Sequence, residues 1–123
     1  MSKILYCTSG LKGEEGHYLI HCYEGDNKSF ELMGSESFTK KERISLIALR
    51  DAVLSIQEEG GVIYTDSDYA YDCIQGGDHR KNKDVYHVLK SAMSKRIQVA
   101  MVNKSQKRYK TLVKQMEKIV SLS

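Results

Sequence analysis

Polar and apolar residues alternate over the first third of the chain, and further on the apolar ones recur every three to four residues. Lys3 to Thr8 reads as a strand, followed by a glycine-rich, acidic turn from Ser9 to Gly16. His17 to Glu24 alternates as a second strand. Tyr18, Ile20 and Cys22 lie on one face, and His17, Leu19, His21 and Tyr23 on the other. Gly25-Asp26-Asn27 has hairpin chemistry, so Ser29 to Met33 returns antiparallel as a third strand. From Thr39 the period becomes helical. Leu46, Leu49, Val53 and Ile56 form a stripe that Ala48 and Ala52 broaden, which predicts a helix from about Lys40 to Glu58 capped by Thr39 or Ser37.

The Gly60-Gly61 pair breaks the chain before Val62-Ile63-Tyr64-Thr65, a β-branched run suited to an interior strand. Asp66 or Ser67 then caps a short helix reaching about Ile74, and Gly76-Gly77-Asp78 is a further break. Val85, Val88, Leu89 and Ala92 predict a helix over Lys83 to Lys95, and Ile97 to Val102 a fifth strand. Tyr109, Leu112, Val113, Met116, Ile119 and Val120 give a last helix whose other face carries Lys107, Lys110, Lys114 and Lys118. The predicted order is βββαβααβα, an α/β domain spanning 1–123.

Composition narrows the possibilities. The chain has 123 residues, 41% hydrophobic and 28% charged, which suits one globular domain. No apolar run approaches the roughly 20 residues of a membrane span, and the start has no signal-peptide pattern, so a cytoplasmic protein without membrane attachment is expected. Cys7, Cys22 and Cys73 lack CxxC spacing, which argues against structural zinc and a disulfide framework. The net charge of +3 conceals a division. Residues 1–78 hold 7 Lys+Arg against 14 Asp+Glu, whereas residues 79–123 hold 12 against 2. The C-terminal third is therefore a candidate polyanion-binding surface.

Among the titratable groups, Asp66 stands at a strand end beside a helix start, a position that suits either a chemical role or a helix cap. His17 and His21 are about 13 Å apart along an extended strand, too far to share a metal. Gly10, Gly13 and Gly16 open no helix, so they make no phosphate-binding loop. Tyr86 and Tyr109 interleave with the C-terminal lysines, although the periodicity of Tyr109 places it in the core.

The element order, with Tyr64-Thr65-Asp66-Ser67-Asp68-Tyr69 at the fourth strand, resembles ribonuclease H and its relatives over nearly the whole chain. Lys81-Asn82-Lys83-Asp84-Val85-Tyr86 is similar to that family's Asn-Lys-Asp-Leu-Trp segment, and Ser45 to Ala52 to its first helix. The resemblance implies a five-stranded mixed sheet, an antiparallel three-strand meander plus parallel strands, flanked by helices. It also implies two magnesium ions held by carboxylates from the first strand, first helix, fourth strand and last helix. Only Asp66 of that set is present. Thr8, Ser45 and Lys110 (or its neighbour Thr111) stand at the other positions, with Glu42 and Asp72 as further acids for a rebuilt metal site. Lys110 is expected to pair with Asp66 in place of the metal.

These replacements imply a degenerate, catalytically silent protein without cofactor. It is expected to bind RNA, DNA or their hybrid through Arg80, Lys81, Asn82, Lys83, Lys104, Lys107, Arg108, Lys110 and Lys114. Two alternatives stand beside this reading. One is an interaction module for an acidic protein surface. The other is a magnesium- or manganese-dependent ribonuclease with an atypical site.

Overall fold

The opening meander is built on two tight turns, each led by a glycine. In the computed structural model, which describes residues 2–77 and 80–122 but not the Arg80 side chain, β1 (Lys3–Lys12), β2 (Glu15–Glu24) and β3 (Asn27–Glu36) are each ten residues long. Asp78 of the predicted break lies outside the described residues. Lys12 pairs with Glu15 and Glu24 with Asn27, so each connection has two residues. Gly13 and Gly25 take the first loop position with φ of 62° and 60°, the positive φ that primed hairpin turns require. Both predicted turns are therefore too long and the strands around them too short, because one glycine in the right place suffices to reverse the chain.

The expected cap of the first helix is replaced by another arrangement. α1 (Lys41–Ser55) has Lys40 at its N-cap with no side-chain hydrogen bond. Thr39 is turned inward and buried, and its N–H donates to the Glu14 carbonyl at 2.9 Å. Ser37 instead donates to the Glu15 carboxylate at 3.3 Å. The loop is thus tied to the β1–β2 turn and not to the helix it precedes. The helix ends at Ser55, three residues before the predicted limit.

The remaining elements follow the predicted order: β4 (Gly61–Thr65), α2 (Asp68–Ile74), α3 (Lys83–Ala92) after a single 3-10 turn, β5 (Ile97–Met101) and α4 (Lys107–Leu122). The sheet order is β3-β2-β1-β4-β5, antiparallel through β3, β2 and β1 and parallel through β1, β4 and β5. No helix among the described residues is long and apolar enough to cross a membrane.

Alternation along β1 divides the core between two layers. Leu5 and Cys7 join Ile20, Cys22 and Ile63 under α1 and α3, where Leu46, Leu49, Val53 and Leu89 are fully buried. Tyr6 faces the other way, with Leu19 and Tyr23, against Leu112 and Met116 of α4. Because β1, β3, β4 and β5 all run in one direction, their C-terminal ends share one edge of the sheet. α1, α2 and α4 all start from that edge.

Arg43 fastens that edge. Its guanidinium donates to both Asp84 oxygens, at 2.9 and 2.8 Å, and to Glu36 at 2.8 Å, joining α1, α3 and the end of β3. The Arg43 hydrogen bonds hold the Asp84 carboxyl down at about 2, below its ordinary value of 3.8. This stabilisation is complete above the ordinary carboxylate value and is lost as pH falls through about 2. In acid titrations of folding stability, the gap between wild type and Asp84→Asn is therefore full above about pH 4 and closes towards pH 2. A gap that does not change with pH contradicts the pairing.

Candidate functional site

Asp66 follows β4 directly, half-buried at the edge where the parallel strands end. The register that sets Cys7 beside Thr65 carries Thr8 to the level of Asp66, on the α4 side of the sheet. Thr8 Oγ1 donates to Asp66 Oδ2 at 2.7 Å, and the Tyr109 hydroxyl of α4 donates to the same oxygen at 2.7 Å. Three elements distant in sequence thus meet on one carboxylate oxygen. Burial, reinforced by the Asp66 hydrogen bond, pushes the Tyr109 phenol above its ordinary value, so it remains a protonated donor at neutral pH. The Cys7 thiol is also pushed up, by burial and then by the Asp66 charge, and stays protonated.

Of the two candidate caps for α2, Ser67 takes the role, accepting from the Ala70 N–H at 3.1 Å. This leaves Asp66 to face α4. Ser67 also donates to Ser45 Oγ at 2.9 Å, and Ser45 donates to the Glu42 carbonyl at 2.8 Å. Ser45, buried where the resemblance places a carboxylate, locks α1 to the start of α2.

Lys110 does not pair with Asp66. It is exposed on α4, and the neighbouring position Tyr109, about 100° round the helix, makes the contact. The cation whose field meets Asp66 is Lys41, at the first turn of α1. Lys41 is exposed along its stem, but its ammonium is drawn in to donate to the Ser9 carbonyl. The lost hydration lowers its pKa, and the Asp66 charge opposes that shift.

Neither Tyr109, expected in the core, nor Lys41 stands out in the sequence as a neighbour of Asp66, though each leaves a trace. Tyr109 is the one hydroxyl-bearing member of the α4 apolar stripe, and Lys40-Lys41 sets two cations at a helix N-terminus, where the dipole disfavours them.

The other proposed metal ligands are not gathered at Asp66. Glu42 and Asp72 line a separate hollow of about 530 Å³ with Tyr69 and Lys81, whereas Asp66 opens on a groove of about 440 Å³ between β1 and α4. Among the described residues no three acidic, histidine or cysteine side chains are grouped to hold a metal. A two-magnesium centre does not fit these donors. Asp66 is bonded to two neutral hydroxyls and Glu117 is the one other acid lining its groove, which is too few oxygen anions to strip two magnesium ions of their water.

The proposed nucleic-acid ligands divide. Lys81, Lys83, Lys104, Lys107, Lys110 and Lys114 are exposed. Asn82 is buried and its amide donates to the Tyr69 hydroxyl at 2.8 Å, so it belongs to the interior. Arg108 is used within the fold as well. Its guanidinium lies 4.0 Å from the Tyr23 ring centre and donates to the Gly25 carbonyl at 2.7 Å. The Arg80 side chain lies outside the described residues.

Removing the donor in Tyr109→Phe is expected to cost about 1.5 kcal/mol in chemical denaturation, as for a hydrogen bond to a charged acceptor. Lys110→Ala stays within about 0.5 kcal/mol. The Tyr109 contribution is full below about pH 10 and is lost as pH rises through the raised phenol value. An alkaline titration by NMR of the tyrosine rings checks the shift, which Asp66→Asn reduces. A larger loss from Lys110→Ala than from Tyr109→Phe contradicts this assignment.

No family model and no curated protein sequence matches the chain. Solved structures do match. The chain is similar to the N-terminal RNase H domain of a Mycobacterium tuberculosis protein, solved as a fusion with maltose-binding protein, at 12% identity and a TM-score of 0.78 over 98% of this chain and 96% of that one. It is also similar to LC11-RNase H1, solved in complex with an RNA/DNA hybrid, at 16% identity and a TM-score of 0.71 over 99% of this chain and all of that one. With its β3-β2-β1-β4-β5 sheet and surrounding helices, the chain has the ribonuclease H-like fold.

Proposed function

We propose that this chain is a catalytically silent ribonuclease H-like protein that binds nucleic acid through the lysine face of α4. The observation that carries the reading is the row Lys107, Lys110, Lys114 and Lys118. All four are exposed, and none makes an ion pair with another described residue. Helical geometry gathers them within an arc of about 80° and along about 16 Å. A row of that length matches successive phosphates, and phosphate contacts fix position without reading sequence. Lys81 and Lys83 before and at the start of α3, and Lys104 after β5, are further exposed lysines near the edge where the parallel strands end. The similarity to LC11-RNase H1, solved with an RNA/DNA hybrid, adds support for a polynucleotide ligand.

The silent half of the reading rests on the donor set around Asp66. Two-metal hydrolysis needs anionic oxygens that bridge and orient the ions, and at this site Thr8, Ser45 and Tyr109 supply hydroxyls that are engaged in hydrogen bonds.

Fluorescence anisotropy with a labelled RNA/DNA hybrid tests binding. With four phosphate contacts, affinity falls about 100-fold between roughly 50 and 200 mM salt, and Lys110→Gln lowers the salt slope by about one. Incubation of the hybrid with magnesium or manganese yields no cleavage. Cleavage that Asp66→Asn abolishes contradicts the silent reading. Failure to bind at low salt overturns the nucleic-acid reading and leaves an acidic protein surface as the partner class for this face.

A further inference from the structure

Phe38 is 87% exposed and holds a φ of 56°, the only non-glycine residue at positive φ among those described. A bulky side chain in the left-handed region is a genuine outlier, and strain of this kind persists where the surroundings over-determine it. Its surroundings are fixed on both sides. Thr39 is buried, hydrogen-bonded through its N–H to Glu14, and packed against Gly16, while Ser37 donates to Glu15. Relaxing Phe38 means extracting Thr39 from the core. The ring therefore projects from an anchored loop into solvent.

It also borders a hollow of about 360 Å³ that Lys40 and Lys81 help to line. Arg43 and Asn82 line it too, and Glu42 is the one acid there. Glu42 is approached by Lys81 at 3.8 Å, and Arg43 is held by two carboxylates, Glu36 and Asp84, which among the described residues leaves Lys40 as the unpaired cation of the lining. Asn82 is committed to the Tyr69 hydroxyl, so its amide does not read base edges. The hollow adjoins the first turns of α1 and α3, and α4 with its lysine row starts from the same edge of the sheet.

We infer that Phe38 is a stacking platform for an unpaired base of single-stranded nucleic acid, with Lys40 and Lys81 meeting the flanking phosphates. An exposed aromatic ring between lysines is the combination that single-strand binders use, and it tolerates any sequence because every base has a π face. Bases inside a duplex are already stacked, so the platform acts on single strands or overhangs. The inference rests on the nucleic-acid reading and adds a second contact to it, one that depends on bases as well as charge.

The chain contains no tryptophan, so Phe38→Trp places a unique fluorophore at the platform. Titration with a short oligothymidylate quenches that emission, whereas an abasic oligomer of equal length and charge leaves it unchanged. Phe38→Gly weakens oligothymidylate binding about 5- to 150-fold, the range for loss of one base–aromatic stack. It leaves the salt slope intact and gives an equal or higher Tm, because glycine accepts the positive φ. That separates the platform from a role in folding.

Oligothymidylate binding by Phe38→Gly equal to wild type, or abasic binding as tight as oligothymidylate binding, overturns this inference while leaving the lysine-face reading in place. No binding of hybrid or single strand at low salt overturns both. Sedimentation showing a dimer that Phe38→Gly dissolves overturns the platform in favour of contact between two copies of the chain.

Discussion

The convergence of Thr8 and Tyr109 on one oxygen of Asp66 governs the edge of the molecule where its chemistry would lie. Parallel pairing of β1 with β4 sets Thr8 level with Asp66, and the Val102 N–H, bonded to the Thr65 carbonyl at 3.0 Å, draws the end of β5 towards the same point. α4 then starts where its first turn delivers Tyr109. Further along, the helix crosses β1 at Gly10, where an added Cβ would lie 2.8 Å from Val120 Cγ2. The carboxylate is held by neutral O–H donors already in place, which satisfies it without a metal. An ionised acceptor strengthens such bonds, so the junction is firm for its size.

Charge is distributed around this junction differently from how it is distributed along the chain. The acidic first part and basic last part do not become two poles. Lys40 and Lys41, from the acidic part, stand at the same edge as Lys81, Lys83 and Lys107, the first residue of α4, from the basic part. Lys41 donates to the Ser9 carbonyl beside this junction, and the Asp66 charge partly offsets the lowering of its pKa that burial causes. The α4 lysines make no ion pair with another described residue, Lys81 approaches Glu42 at 3.8 Å, and the strained, exposed Phe38 is the one large apolar side chain bordering the hollow beside them.

Much of the architecture was legible because period and punctuation are local properties. The switch from alternation to helical spacing at Thr39, the Gly60-Gly61 break and the α4 stripe each specify an element without reference to its neighbours. Asp66, Thr8 and Ser45 were legible as a group only through the resemblance, and the structure brings the first two into contact and ties Ser45 in through Ser67. What escaped depends on rotation and on partners. Moving one residue along a helix turns a side chain by about 100°, which separates exposed Lys110 from Tyr109 at the carboxylate. Asn82 and Arg108 resemble surface ligands in sequence. Only Tyr69, Tyr23 and the Gly25 carbonyl, all remote along the chain, show that they serve the fold. Thr39 failed as a cap for the same reason, since a backbone bond to Glu14 decided its orientation.

We propose that Asp66 serves as a hydrogen-bonded anchor in place of a metal ligand. Manganese titration followed in amide NMR spectra tests it most directly, because the paramagnetic ion broadens only signals close to where it binds. Thr8, Asp66 and Tyr109 are expected to show no selective broadening at millimolar manganese. Selective broadening at those three residues that Asp66→Asn abolishes would contradict it.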